Sequence, residues 1–285
     1  MILLYKYHGL GNDYLIYDPH KNSASLDKDT IRYLCHRNYG AGSDGILYGP
    51  LQNDKNSSAF GLKIFNPDGS QAEKSGNGLR IFAAYLKDFG YVFEDFCEID
   101  TVGGTSHCTY IDNKSNECKV FMGKVNTHST SFPILDTRKN LLDMDMVSKP
   151  LFFNNCLYYV TCVNIGNPHC VLPLVNISKD LALNLGPYVV NSPHFPNKIN
   201  MQLMKVLDEE NISIEIYERG AGYTLASGSS SCAAAYCSYR LGLTKETVKV
   251  HMPGGCLDIE ITPKNEIYMS GSVNYIGELN IITPS

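Results

Sequence analysis

Residues 74–85 read KSGNGLRIFAAY, and residues 226–237 read ASGSSSCAAAYC. Each stretch puts Ser-Gly ahead of small polar residues and then an apolar, Ala-rich run. The spacing predicts, twice, a turn feeding a helix N-terminus, with Ser75 and Ser227 at matching places. Those serines stand 152 residues apart, about half the chain, which points to an internal duplication. A helix start offers unpaired N–H groups and the positive end of a dipole, so it suits a carboxylate. Either copy alone would read as an ordinary serine cap. The repeat at half-length turns the reading toward function.

Working outward, the two halves share a plan: strands, a Gly-rich turn, a central helix, more strands. In the first half, strands are expected at Leu3 to Tyr7, Tyr14 to Asp18, Ile46 to Tyr48 and Leu62 to Phe65. Ser25 is expected to cap a helix over 26–37. The helix after Ser75 should reach about Phe89, followed by short strands at Cys97, Cys108 and Cys118. Residues 124–150 read as a connection. In the second half, strands are expected at Leu157 to Val163 and Cys170 to Leu172. Ser178 should cap a helix that stops at Gly186. A hairpin spans Met201 to Tyr217, and hairpin strands close the chain after the Ser227 helix.

Composition bounds the function. A chain of 285 residues suits one large domain or two ordinary ones. The formal net charge of −5, with no Lys/Arg cluster, argues against nucleic acid or an anionic membrane as partner. No apolar run approaches the length of a membrane-spanning helix. The first residues, MILLYKYHGLGNDY, read as a strand and not as a secretion signal. Ten cysteines occur without a C-x-x-C pair, so structural zinc is not expected. Most sit in apolar alternation as small core hydrophobes, and a reducing cytoplasm is the expected location.

Five segments, HGLGNDYLIYD, RNYGAGSDGIL, FNPDGSQAEKSGNGLRIFAAYL, NIGNPHCVL and ERGAGYTLASGSSSCAAAY, carry a resemblance to the diaminopimelate epimerases. The resemblance implies an α/β (α+β) fold of two pseudo-symmetric domains, each with strands wrapped around a central helix. Residues 1–124 plus 272–285 would form the N-terminal domain and 125–271 the C-terminal one. It also implies an isomerase without pyridoxal, metal or other cofactor, acting on an amino acid. In that chemistry one cysteine thiolate removes the α-proton from one face, and a second cysteine thiol returns a proton to the other. Inversion at carbon requires two such groups in opposite protonation states. Thiols suit it because a helix N-terminus lowers their pKa.

Here the resemblance places the two cysteine positions on Ser75 and Ser227. A serine hydroxyl is a far weaker acid than a thiol and is a poor base near neutral pH. The chain as written is therefore expected to be nearly inactive. It is either a form in which both cysteines have been replaced or a paralogue that binds an amino acid without turning it over.

The same likeness implies substrate hydrogen bonds from Asn12, Asn66, Asn77, Asn167 and Asn200. Carboxylate-binding N–H groups would come from Gly76 and Asn77 and from Gly228 and Ser229. Glu218 and Arg219 would hold a distal amino-acid head, and His169 and Glu218 would tune the proton carriers. A homodimer through Tyr275 is implied too, with core packing as the other reading of that tyrosine. Alone, each Asn beside Gly or Pro reads as a turn residue, and Glu218–Arg219 as a surface ion pair. Tyr223, Ser230, Ser231 and Lys74 depart from the family pattern and leave a second substrate open, such as histidine. The retained polar residues favour diaminopimelate, since a substrate without a distal head would leave them unpaired.

Overall fold

The computed structural model describes residues 1–52, 58–111, 114–131 and 144–282. The chain divides into two compact units, Met1–Phe121 with Ser270–Ser285, and Met122–Met269. Residues 132–143 of the region expected as a connection lie outside the described residues.

In the first unit the sheet runs Asn274–Ile281, Ile2–Gly9, Asn12–Tyr17, Ile46–Leu51, Phe60–Phe65, Phe96–Thr101, Gly104–Tyr110. Successive pairings are antiparallel, antiparallel, parallel, antiparallel, parallel and antiparallel. Helix α1 spans Lys28–Cys35 and helix α2 spans Gly76–Asp88. Every residue of α2 from Asn77 to Leu86 is buried, so it is hydrophobic nearly all round and forms the core of its unit. Leu79, Ile81, Phe82 and Leu86 are fully inaccessible, each contributing roughly 1.5–3 kcal/mol by burial. Helix α1 packs Ile31, Leu34 and Cys35 against Ile2, Leu4, Leu15 and Tyr17.

The second unit repeats this order. Its sheet runs Lys149–Phe153, Cys156–Asn164, Pro168–Pro173, Asn200–Asp208, Asn211–Glu218, Thr247–Met252, Gly255–Ile261. The pairings follow the same sequence, antiparallel, antiparallel, parallel, antiparallel, parallel, antiparallel. Helix α3 is Lys179–Val190 and helix α4 is Gly228–Arg240, with Ser230 to Ser238 all buried. Ala233, Ala234 and Ala235 let the strands approach α4 closely. Helix α3 places Ala182, Leu185 and Val189 in a cluster with Leu172, Met201 and Leu203. The two halves are thus copies in topology, as the repeated Ser-Gly stretch implies.

Local boundaries differ from the sequence reading in three places. Helix α1 is capped by Asp27, whose carboxylate accepts from the Thr30 N–H, and not by Ser25. Asp27 stands three residues before the bonded amide, the spacing a cap needs. Ser178 does cap α3, but the helix continues through Gly186 and Pro187 to Val190. Burial of Val189 and Val190 outweighs the lost proline donor. Lys149–Phe153, which starts inside the stretch 124–150 expected as connection, forms a strand against Cys156–Asn164 with Leu151 and Phe153 buried. Eight of the ten cysteines are buried, while Cys156 and Cys256 are exposed.

Candidate active site

Ser75 is the N-cap of α2, with its Oγ accepting from the Gly78 N–H at 3.0 Å. A Cβ at residue 78 would meet Leu47 and Ser75 at 3.1–3.2 Å, so glycine lets the cap sit tight against the sheet. The Tyr14 hydroxyl lies 3.2 Å from Ser75 Oγ. Gly76 and Asn77 supply the first helical N–H groups, which an α-helix cannot satisfy internally.

Around them runs a hydrogen-bonded chain of amides and ions. Asn77 Nδ2 donates to Asn12 Oδ1 at 3.1 Å, and Asn12 Nδ2 donates to Asp44 at 2.8 Å. The fully buried Arg80, one turn along α2, donates to Asn77 Oδ1 at 2.5 Å and to the Ser272 carbonyl at 3.2 Å. Arg37 bridges Asp13 and Asp44 at 2.7 Å each, and Lys6 pairs with Asp13 at 3.0 Å. Burial alone would raise the Asp13 carboxyl, but the bonds from Arg37 and Lys6 outweigh it and hold it below the usual range. Asn66 is exposed in a turn, donating to Ser70 Oγ at 2.9 Å.

In the second unit Ser227 is the N-cap of α4, with Oγ 3.5 Å from the Ser230 nitrogen. Its hydroxyl also bonds Glu218 at the end of the strand Asn211–Glu218. Burial raises the Glu218 carboxyl above its ordinary value, and the Ser227 bond only partly opposes this. Gly228 and Ser229 open the helix, and Asn167 Nδ2 reaches Ser229 Oγ at 3.4 Å.

Beneath Asn167 the buried network is neutral. His169 is completely buried, with Nε2 2.9 Å from Asn167 Oδ1 and Nδ1 3.0 Å from Gln202 Nε2. An amide carbonyl only accepts and an NH₂ only donates, so the proton sits on Nε2. Burial first, with Arg219 adding to it, depresses the imidazole to about 3 against the opposing Gln202 bond, so it stays neutral. Gln202 also donates to Ser230 Oγ at 3.0 Å, while its Oε1 has no partner among the described residues. The buried Asn200 accepts from the Arg219 N–H at 3.0 Å. The exposed Arg219 guanidinium touches the Asn197 carbonyl at 3.4 Å. Tyr223 donates to Glu215 at 2.7 Å, with Lys179 5.2 Å from its ring centre.

Each unit therefore gathers its sequence-derived residues at one helix start. Ser75, Gly76, Asn77 and Asn12 come together in the first, and Ser227, Gly228, Ser229, Asn167, His169 and Glu218 in the second. Asn66 contacts none of the first group by hydrogen bond among the described residues. Sequence reasoning passed over Tyr14, Asp44, Arg80 and Gln202. Tyr14 and Asp44 stood within the quoted motifs GNDY and GSD. Arg80 and Gln202, a charge and an amide amid apolar neighbours, carried no signal beyond being out of pattern.

This architecture, strands wound about a buried helix and then repeated, is shared with structurally characterised racemases and epimerases. A probable proline racemase from Agrobacterium radiobacter superposes with a TM-score of 0.68 at 12% identity, covering 100% of this chain and 94% of that one. A hydroxyproline epimerase from Agrobacterium vitis gives 0.66 at 11%, covering 98% and 91%. The profile described as diaminopimelate epimerase matches residues 4–128 and 161–276. "Diaminopimelate epimerase 2" of Nostoc sp. is 47% identical over 278 residues, 97% of this chain and 95% of its own. The diaminopimelate epimerase of Caldanaerobacter subterraneus is 34% identical over 280 residues, 97% and 98% of the two chains. The chain belongs to the diaminopimelate epimerase family. It is a cofactor-independent isomerase by that membership.

Proposed function

We propose that this chain binds diaminopimelate and has the framework to interconvert its LL and meso forms, with the two proton-carrying positions occupied by serine. One observation carries the reading: Ser75 and Ser227 cap the central helices of two units of identical strand order. Each presents an oxygen beside the first N–H groups of its helix. A carboxylate needs such donors, and they would also stabilise charge that develops when the α-proton leaves. Thiolates at 75 and 227 would accept the same amide bonds and gain from the same dipole.

Glu218 hydrogen-bonds Ser227, and we assign it the tuning of that position. His169 stays neutral and positions Asn167. Asn12, Asn77, Asn167 and Asn200 fit the substrate's polar groups, with Asn66, Glu218 and Arg219 toward a distal head. We further propose a cytoplasmic homodimer through the strand Asn274–Ile281, where Tyr275 and Ile276 are exposed. No helix among the described residues is long and apolar enough to cross a membrane.

The test restores both thiols. Ser75→Cys with Ser227→Cys should raise α-proton exchange of diaminopimelate in deuterated water by about 10²- to 10⁴-fold. Absence of exchange with either the LL or meso isomer would overturn the epimerase reading. Calorimetry of the serine form separates substrates: binding of histidine but not diaminopimelate would overturn the substrate.

A further inference from the structure

A second arrangement of nucleophile, base and orienter lies on the second unit's sheet, among residues that neither helix start uses. The strands Thr247–Met252 and Gly255–Ile261 bury Val248, Val250, Leu257 and Ile259. Strand alternation therefore turns His251 and Cys256 to the opposite face, where the antiparallel register sets them directly opposite each other. Cys256 Sγ lies 3.2 Å from His251 Nδ1. His251 Nε2 lies 2.9 Å from Asn211 Oδ1, on the neighbouring strand. Asn211 Nδ2 in turn reaches both Asp208 carboxylate oxygens, at 2.9 and 3.1 Å.

The bonds fix the protons along this chain. A carboxylate only accepts, so Asn211 turns its NH₂ to Asp208 and its carbonyl to His251. That carbonyl also only accepts, so the imidazole proton sits on Nε2. The Nδ1 lone pair then faces the thiol and receives its S–H. A thiol held by an imidazole, which is held by a third group, is the arrangement that activates a cysteine nucleophile. Cys256 is also exposed, unlike eight of the other nine cysteines.

We propose that Cys256 is a modification site for low-molecular-weight disulfides, reacting by thiol–disulfide exchange with His251 as its base. Nδ1 takes the thiol proton, and Sγ attacks one sulfur of the disulfide. The new Cys256–sulfur bond forms as the old sulfur–sulfur bond breaks. The departing thiolate takes the proton from His251 and leaves as a free thiol, so the protein sulfur is oxidised and half of the disulfide is reduced. No hydrogen bond from a histidine reaches Cys156 among the described residues, and this thiol serves as an internal reference.

The full chain is treated with glutathione disulfide, and modified peptides are counted by mass spectrometry over time. Cys256 should react about tenfold faster than Cys156, and His251→Gln should bring it close to the Cys156 rate while Cys156 is unaffected. Asn211→Leu should lower the Cys256 rate in the same direction. A wild-type ratio below about threefold overturns the proposal without recourse to any variant. So does a ratio that survives His251→Gln.

Discussion

The two helix starts have the same backbone and different foundations. Under Ser75 the support is ionic: Asn12 and Asn77 hang from Asp44, Arg37, Asp13, Lys6 and the buried Arg80. Under Ser227 it is neutral, an Asn167–His169–Gln202–Ser230 series with one carboxyl, Glu218, at the cap itself. The two units keep the same capped helix start and orient their amides by different chemistry. The difference has a consequence in pH. In the ionic support the bonds from Arg37 and Lys6 keep Asp13 charged to below the ordinary carboxylate range. The neutral support depends on a histidine remaining uncharged where a free one would not.

The largest expected effect separates the two positions as proton carriers. If 75 and 227 act on opposite faces, restoring one thiol alone should permit exchange in only one stereoisomer, with retention. Epimerisation should need both, with the doubly restored chain exceeding either single one by about 10²-fold or more. Proton NMR in deuterated water reads both quantities. Equal epimerisation by a single-thiol chain would break the two-face assignment. Next in size is the buried anchor of each support. Arg80→Ala removes the largest fully buried side chain and leaves the Asn77 and Ser272 carbonyls without their donor, for a loss of about 3 kcal/mol. Gln202→Leu removes two bonds but also an unpartnered buried oxygen, so it should cost only about 1–2 kcal/mol in urea melts. The reverse order would show that the charge is not what holds the first support.

How much of this was legible depends on what each residue does. Ser75 and Ser227 could be placed as caps because a cap needs a short polar side chain, an extended backbone and a following apolar run, all of them local. The duplicated topology followed from two such signals at half-length. Arg80 and Gln202 were not legible, because their role is set by partners from distant strands, and a lone polar residue in an apolar run has no period. The cap of α1 fell on Asp27 and not Ser25 since both residue types qualify and only the register of Ile31 and Leu34 against the sheet decides. Helix α3 outran its expected stop for a similar reason: Gly186-Pro187 reads locally as an end, and tertiary burial carries the helix past it.

The pH contrast is the next prediction. His169 titrates near 3 in the fold and near 6.5 when free, so between these values the unfolded chain binds the extra proton. Stability then rises with pH, and the contribution is lost as pH falls through this window. Moving from pH 7 to pH 5 should remove about 2 kcal/mol through this one group. His169→Gln, which cannot titrate, should lose less than the parent over that interval by about that amount in urea melts. Asp13, whose carboxyl is held low in the fold, is lost only at more acid pH, so Asp13→Asn should leave the pH 7-to-5 difference unchanged. A matching effect at Asp13 would erase the contrast between the two supports.

The smallest effect asks whether the caps themselves differ. The Ser75 cap bond is 3.0 Å and the Ser227 one 3.5 Å, the outer limit of a hydrogen bond. Ser75→Ala should therefore cost about 1 kcal/mol at any pH from 5 to 8, the ordinary worth of a serine cap. Ser227→Ala loses little as a cap, but it also removes a donor that favours the charged form of Glu218. The fold already raises that carboxyl, so its contribution is present at low pH and is lost as pH climbs through its folded value. Without the Ser227 hydroxyl the carboxyl rises further, and the loss at neutral pH deepens. The cost of Ser227→Ala should thus grow with pH while that of Ser75→Ala stays flat. Parallel pH profiles would mean that Glu218 does not sense the cap, and the tuning assigned to it would fall.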